Sequence, residues 1–236
     1  MTVIGVLAIQ GAVEEHINLI KAVGCTGKEI RNPEDIDGCD GMILPGGEST
    51  AMSIIGEQNG LFARLKVYVQ SGKPIWGTCA GMILLSDHAI LKAQCGQSFV
   101  GGLDVHVCRN FFGSQIHSSI LPVSVTKGVL EDEKGFTAVF IRAPAILKIG
   151  KGVTVLGTLK AKPHVSAIAE VEQFLALQPM TPSEDGELIA QEIDVYVAVR
   201  QGNILATAFH PELSKDLRWH EYFLSMIEKP PPIPPA

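Results

Sequence analysis

The stretch Lys73-Pro74-Ile75-Trp76-Gly77-Thr78-Cys79-Ala80-Gly81-Met82 decides how the rest of the chain is read. Pro74-Ile75-Trp76 has the character of a buried strand end, because proline is tolerated at a first strand position and two bulky, β-prone residues follow. Met82-Ile83-Leu84-Leu85 reads as the first turns of an apolar helix. A strand that turns sharply into a helix strains the backbone and needs small neighbours, which Gly77, Ala80 and Gly81 supply. The side chain at the turn is then exposed beside the N–H groups of the helix start. Gly77-Thr78-Cys79-Ala80-Gly81 therefore matches a nucleophile elbow, G-x-S-x-G, with sulfur in place of oxygen. A helix N-terminus favours thiolate over thiol and offers donors to a developing oxyanion. Cys79 is the candidate nucleophile. A free cysteine more often packs as a small hydrophobe, and Cys25, Cys39, Cys95 and Cys108 keep that reading.

Outward from the elbow, the N-terminal half alternates strand and helix. Val3 to Ile9 is a continuous apolar run, as expected of a central parallel strand covered on both faces. After the turn Gln10-Gly11, Val13, Ile17, Leu19, Ile20 and Val23 form a helical stripe that Gly24 stops. A short strand is expected at Thr26 to Arg31, a turn with a short helical start at Asn32-Pro33-Glu34-Asp35, and a third buried strand at Gly41 to Leu44. Leu61 to Val69 is helical, and Pro74 to Trp76 is the fourth strand. The alternation predicts an α/β fold, a three-layer, doubly wound, mostly parallel sheet with its site at the carboxyl ends of the strands. From Phe99 the pattern shifts to antiparallel additions: Gly101 to Val107, Ile120 to Val125, Phe136 to Ile141 and Val153 to Leu159. Residues 160–192 carry scattered prolines and read as a surface excursion with one helical piece. Asp194 to Val199 and Ile204 to Phe209, joined at Gln201-Gly202-Asn203, form a hairpin, and Leu217 to Ile227 a closing amphipathic helix.

Composition narrows the class. A chain of 236 residues can bury a large core, and residues 1–229 are expected to form one domain, followed by a proline-rich, disordered tail at 230–236. Acidic residues outnumber basic ones 25 to 19, and no basic cluster interleaves with aromatics, which argues against nucleic acid as partner. The 5 cysteines include no C-x-x-C pair, against a disulfide framework or a zinc site and in favour of a reducing compartment. The apolar start lacks a basic flank and runs straight into a polar helix, so it is a strand rather than a signal peptide. No apolar run approaches membrane-spanning length, and a cytoplasmic protein is expected.

Three further stretches cohere with Cys79. Pro45-Gly46-Gly47-Glu48-Ser49-Thr50 ends the third strand, and its glycines suit an oxyanion hole. The same residues equally suit a plain turn with Ser49 or Thr50 as helix cap. In Phe209-His210-Pro211-Glu212, residues two apart on an extended segment share one side, so Glu212 can orient His210 as the base that a thiol needs. His16, His88, His106, His117, His164 and His220 keep the ordinary reading of a surface or satisfied core histidine. Arg109 to Gln115 and Phe140 to Pro144 place Arg109 and Arg142 at ends of β-segments, where arginine can clamp a carboxylate or simply face solvent.

Together with Gly5 to Gly11, Pro45 to Thr50, Trp76 to Gly81 and Phe209 to Leu213, these motifs resemble those of class I glutamine amidotransferases of flavodoxin-like fold. Within that group they resemble the glutaminase subunits of pyridoxal 5'-phosphate synthase, the PdxT/SNO family, over nearly the whole chain. The elbow marks only the wider group; Glu48-Ser49-Thr50 and the two arginine motifs single out the family. The resemblance implies that Cys79 attacks the carboxamide of L-glutamine, that His210 with Glu212 acts as base and then acid, and that Gly47 and Ala80 hold the oxyanion. It implies glutamine binding by Gly46, Gly47, Glu48, Arg109, Ile141 and Arg142, and no metal or organic cofactor. It further implies a separate (β/α)₈-barrel synthase subunit that receives ammonia for vitamin B6 biosynthesis and activates the glutaminase by docking, with Gln10 and Gly11 involved. The stretch 160–192 departs from the family by its length. Competing readings are a free-standing cysteine hydrolase or peptidase, a glutaminase serving another synthase, and a catalytically silent interaction subunit. Glu48, Arg109 and Arg142 suit a zwitterionic amino acid better than a peptide, the arginine motifs disfavour another synthase, and the intact Cys79, His210 and Glu212 oppose a silent subunit.

Overall fold

The computed structural model describes residues 1–90, 98–113, 118–130, 134–175 and 191–229. The apolar run near the N-terminus forms β1 (Val3–Leu7), followed by α1 (Val13–Ala22), whose first turn holds Glu14 and Glu15 and whose last holds Lys21, as the helix dipole favours. Gly24, at φ 82°, ends it. Then come β2 (Thr26–Ile30), a 3₁₀ turn at Pro33–Ile36, β3 (Gly41–Leu44), α2 (Ser49–Gln58), α3 (Leu61–Gln70), β4 (Ile75–Thr78) and α4 (Ala80–Leu85). The later strands are β5 (Ser86–Ile90), β6 (Leu103–Cys108), β7 (Ser118–Val125), β8 (Phe136–Ile141), β9 (Ala145–Ile149) and β10 (Thr154–Ala161). The chain closes with α5 (Ile168–Leu175), β11 (Ile193–Gln201), β12 (Ile204–Thr207), a 3₁₀ turn at Pro211–Leu213 and α6 (Arg218–Glu228).

The sheet runs β2-β1-β3-β4-β12-β11-β10-β7-β8. The first five strands are parallel, and β12 turns antiparallel into β11 through the two-residue loop Gly202-Asn203. Leu44 pairs with Gly77 and Thr78 with Thr207, so β3, β4 and β12 end at nearly one level. The segments that follow β1, β3, β4 and β12 hold Gln10, Gly46 to Glu48, Cys79 and His210 respectively. One end of the parallel sheet therefore gathers Gln10, the glycine pair, Cys79 and His210, as a doubly wound topology requires, while the two arginine stretches come from β6 and β8 outside it.

Helices cover both faces. α1 and α6 meet on one, where His16 and His220 touch across Trp76 and Phe223. α2, α3 and α4 pack together on the other, with the Phe62 ring lying on Gly56. Phe209 is fully buried, with its ring centroid 5.3 Å from Phe136, 5.5 Å from Trp219 and 5.9 Å from Phe140. Burying a phenylalanine contributes about 2–3 kcal/mol, and here it also pins the residue next to it, His210. Among the described residues no helix is long and apolar enough to cross a membrane.

Several expectations need adjustment. The fourth strand continues past Trp76 to Thr78, carried by its pairing with β3 and β12. β5 and β9 escape the sequence reading because Ser86-Asp87-His88 is polar and Ala145 to Ile149 shows no clean polar–apolar alternation; both are held by pairing with β6. The excursion contains its helical piece, α5, while residues 176–190 and the tail lie outside the described residues. In α1 the fully buried residues are His16 and Ile20, so the buried face is centred off Leu19 and includes a histidine.

Candidate active site

Cys79 caps α4 with φ 49° and ψ −104°. Among the described residues the only other non-glycine with positive φ is Arg142, at 46°. Such backbone strain is of order 1–3 kcal/mol and persists only where the surroundings impose it. Here Cys79 N–H donates to Thr207 O at 2.8 Å, and Cys79 O accepts from Ile83 N–H at 3.3 Å. The glycines of the elbow have a steric origin. A Cβ on Gly77 would stand 2.5 Å from the Gly81 carbonyl, and one on Gly81 would run into Leu44 O. α4 thus packs backbone against backbone on β3 and β4. Cys79 is only 5% exposed, against the open side chain that an elbow suggests, because the Gly46 backbone and His210 close over it.

His210 follows β12 with its N–H on Val139 O at 2.9 Å. Its Nδ1 is 2.7 Å from Glu212 Oε1. The two meet through the 3₁₀ turn begun by Pro211, not along an extended segment as the spacing suggested; the proline favours the turn at its first position. Burial disfavours the imidazolium, but hydrogen bonds to Cys79 and Glu212, and their charges, outweigh it and push His210 up to about 10. Burial likewise disfavours the Glu212 carboxylate, yet the bond to His210 and the nearby His16 hold it below its usual range. Because the His210 value is raised, its stabilising charge is complete below about 6.5 and is lost as pH rises through about 10. An NMR titration of the folded protein is expected to find His210 still protonated at about pH 8. A midpoint near 6.5 would show that its two partners do not hold it.

The segment after β3 is built around Glu48. Its carboxylate caps α2, accepting from Thr50 N–H at 3.1 Å and Ala51 N–H at 2.7 Å, so Glu48 fills the role open to Ser49 or Thr50. The two hydroxyls instead receive Arg109, whose Nη2 lies 2.7 Å from Ser49 Oγ, 3.2 Å from Thr50 Oγ1 and 3.8 Å from Glu48 Oε1. Gln10 Oε1 accepts from Glu48 N–H at 2.6 Å, and Ala12 N–H donates to Gly46 O at 3.1 Å. The Gln10-Gly11 turn is therefore latched onto the glycine pair. Phe112 N–H donates to Ala143 O at 3.3 Å and joins the two arginine stretches. Ile141 is half-buried at the end of β8, while Arg142 is exposed and hydrogen-bonds none of these residues. Ser114, Gln115, Cys95 and His117 lie outside the described residues.

The structure adds two residues that sequence reasoning set aside. His16 Nε2 lies 3.4 Å from Glu212 Oε2, and His16 Nδ1 lies 3.1 Å from His220 Nε2, all fully or nearly fully buried. Their signal was present: each histidine sits on the apolar face of an amphipathic helix, His16 four residues before Ile20 and His220 three before Phe223.

The profile of the SNO glutamine amidotransferase family matches residues 6–182 and 180–229. The chain is 42% identical over 234 residues to the probable pyridoxal 5'-phosphate synthase subunit PDX2 of Arabidopsis thaliana, covering 96% of this chain and 86% of the relative. It is 39% identical over 227 residues to the pyridoxal 5'-phosphate synthase subunit PdxT of Listeria monocytogenes, covering 96% and 100%. A solved glutamine amidotransferase superposes with a TM-score of 0.73 at 33% identity, covering 96% of this chain and 99% of that one. Fold and sequence agree, and the chain belongs to the SNO glutamine amidotransferase family.

Proposed function

We propose that this glutamine amidotransferase is the glutaminase subunit of a pyridoxal 5'-phosphate synthase and that Cys79, His210 and Glu212 hydrolyse L-glutamine to L-glutamate and ammonia. The observation that carries the reading is the strained, buried Cys79, packed with Gly46 beside a histidine whose Nδ1 is 2.7 Å from a buried carboxylate. The Cys79 sulfur, its proton resting on His210, attacks the carboxamide carbon, and the carbonyl oxygen takes up negative charge. Backbone N–H groups of Gly47 and Ala80 receive it; the latter is the first residue of α4, where helix N–H groups lack intrahelical partners. His210, protonated through neutral pH, gives its proton to the departing nitrogen, and ammonia leaves a γ-glutamyl thioester. His210, now neutral, takes a proton from water as it attacks the thioester, and glutamate departs with the sulfur restored.

Glu48 and Arg109 present opposite charges side by side, which suits the ammonium and carboxylate of a free amino acid. Gly46, Gly47, Ile141 and Arg142 complete the proposed glutamine site. Glu48 carries two duties, so Glu48→Ala is expected to raise KM for glutamine roughly tenfold and to destabilise α2 by about 1 kcal/mol. Steady-state kinetics with a denaturant melt check both, and Glu48→Gln, which keeps one acceptor, should retain most of the stability. Ammonia passes to a (β/α)₈-barrel synthase subunit, and docking acts through the Gln10-Gly11 latch on Gly46 to Glu48. Glutamate release measured with and without that subunit tests the reading. Strong stimulation supports it; full activity alone points to a free-standing glutaminase; no release in either case, with Cys79 reduced, overturns it.

A further inference from the structure

The Glu212 carboxylate has two oxygens, and the triad uses one. Oε1 meets His210, while Oε2 is buried and has no hydrogen-bond partner of good geometry. The nitrogen facing it is His16 Nε2, 3.4 Å away, which also lies 3.3 Å from Thr78 Oγ1. A slight rotation of the imidazole shortens the contact into a hydrogen bond. Behind His16 stands His220, and the edges of both rings are walled by Trp76, at 5.9 Å and 4.9 Å between centroids.

The protons follow from the carboxylate. Ionised Glu212 only accepts, so an N–H on His16 Nε2 suits both it and the Thr78 hydroxyl oxygen, whereas a bare Nε2 bonded by that hydroxyl would set its lone pair against the carboxylate. Neutral His16 then has a bare Nδ1, which accepts from His220 Nε2–H at 3.1 Å. That leaves His220 Nδ1 as the bare nitrogen, and it is the buried ring atom without a partner. A second proton there would be an uncompensated buried charge; burial, then the neighbouring His16, hold His220 down at about 2. Burial also keeps His16 neutral despite Glu212.

We propose that His16 is a positioning residue of the reaction, its Nε2–H holding Glu212 Oε2 so that Oε1 faces His210, with His220 fixing the His16 tautomer. The inference rests on the triad reading above and adds to it two residues from α1 and α6. The groups that face His16 are Glu212 and His210 beyond β12, His220 of α6, the Thr78 hydroxyl of β4 and Glu15 of its own helix.

Two arms test it on the full chain in complex with the synthase subunit. In the wild type, nitrogen-15 NMR of labelled histidines is expected to place N–H on Nε2 of both His16 and His220, unchanged between about pH 6 and 8. Protonation of His16 on Nδ1 instead would overturn the proposal without any substitution. In the kinetic arm, His16→Leu is expected to lower kcat about 10–100-fold with KM for glutamine within about twofold, and to move the alkaline limb of the kcat profile to lower pH. His16→Gln, which returns an N–H near the Nε2 position, should recover most of that loss. Wild-type kcat and pH profile in His16→Leu, or equal loss in both variants, would reduce His16 to packing. Should His16→Leu fail to fold, His16→Gln and the NMR arm decide. Absence of glutamate release by the wild-type complex would sink the triad reading instead, while the NMR arm still reports which nitrogen faces Glu212.

Discussion

Replacing Cys79 with alanine is expected to lower glutamate release from L-glutamine by about 10⁴-fold or more in the assembled synthase. The size follows from the chemistry. Without sulfur no thioester forms, His210 has no nucleophile to serve, and only the oxyanion donors and substrate binding remain. Folding should be nearly untouched, because the elbow is imposed by Gly77, Gly81 and the bond from Cys79 N–H to Thr207 O, none of which needs the sulfur. Alanine at φ 49° meets the same backbone strain as cysteine. The measurement is single-turnover glutamate formation beside a thermal melt. Residual turnover above about a hundredth of wild type, with an unchanged Tm, would show that the chemistry lies elsewhere.

Gly46→Ala is expected to give the next largest effect, a fall in kcat of about 10²–10³-fold with a Tm lowered by only a few degrees. A Cβ at residue 46 would run into the His210 ring and come within 3.3 Å of Cys79 Cβ. The added methyl therefore pushes apart the two groups that must exchange a proton, and a shift near 1 Å is enough for such a loss. The contrast with Gly81→Ala is informative. There the obstacle is the Leu44 carbonyl, a backbone atom, so the expected damage is to folding first. If Gly46→Ala lost stability as severely as Gly81→Ala, the distinction between a chemical and a structural glycine would fail.

Much of this was legible in the sequence because it depends on short-range pattern. The buried runs Val3 to Ile9 and Gly41 to Leu44, and the small residues around Cys79, each carry their meaning within a few positions. The alternation of strand and helix then fixed where the strand ends would gather. What stayed hidden depends on contacts distant in the chain. Glu48 caps α2 in competition with two hydroxyls that look better suited, because Arg109 draws Ser49 and Thr50 away. β5 is too polar to signal a strand and exists through pairing with β6. His16 and His220 belong to helices at opposite ends of the chain, and only their meeting behind Glu212 distinguishes them from ordinary core histidines.

The pairing of Thr78 with Thr207 has a consequence for a chain still being made. The thiol leaves the ribosome long before the strand that carries the imidazole. Until β12 pairs with β4, between the parallel core and the antiparallel flank, Cys79 has neither its proposed base nor the backbone bond to Thr207 O. On the proposed mechanism, chains lacking β12 are expected to be chemically mute and to release no ammonia. β12, the last strand among the described residues, serves as the safety catch.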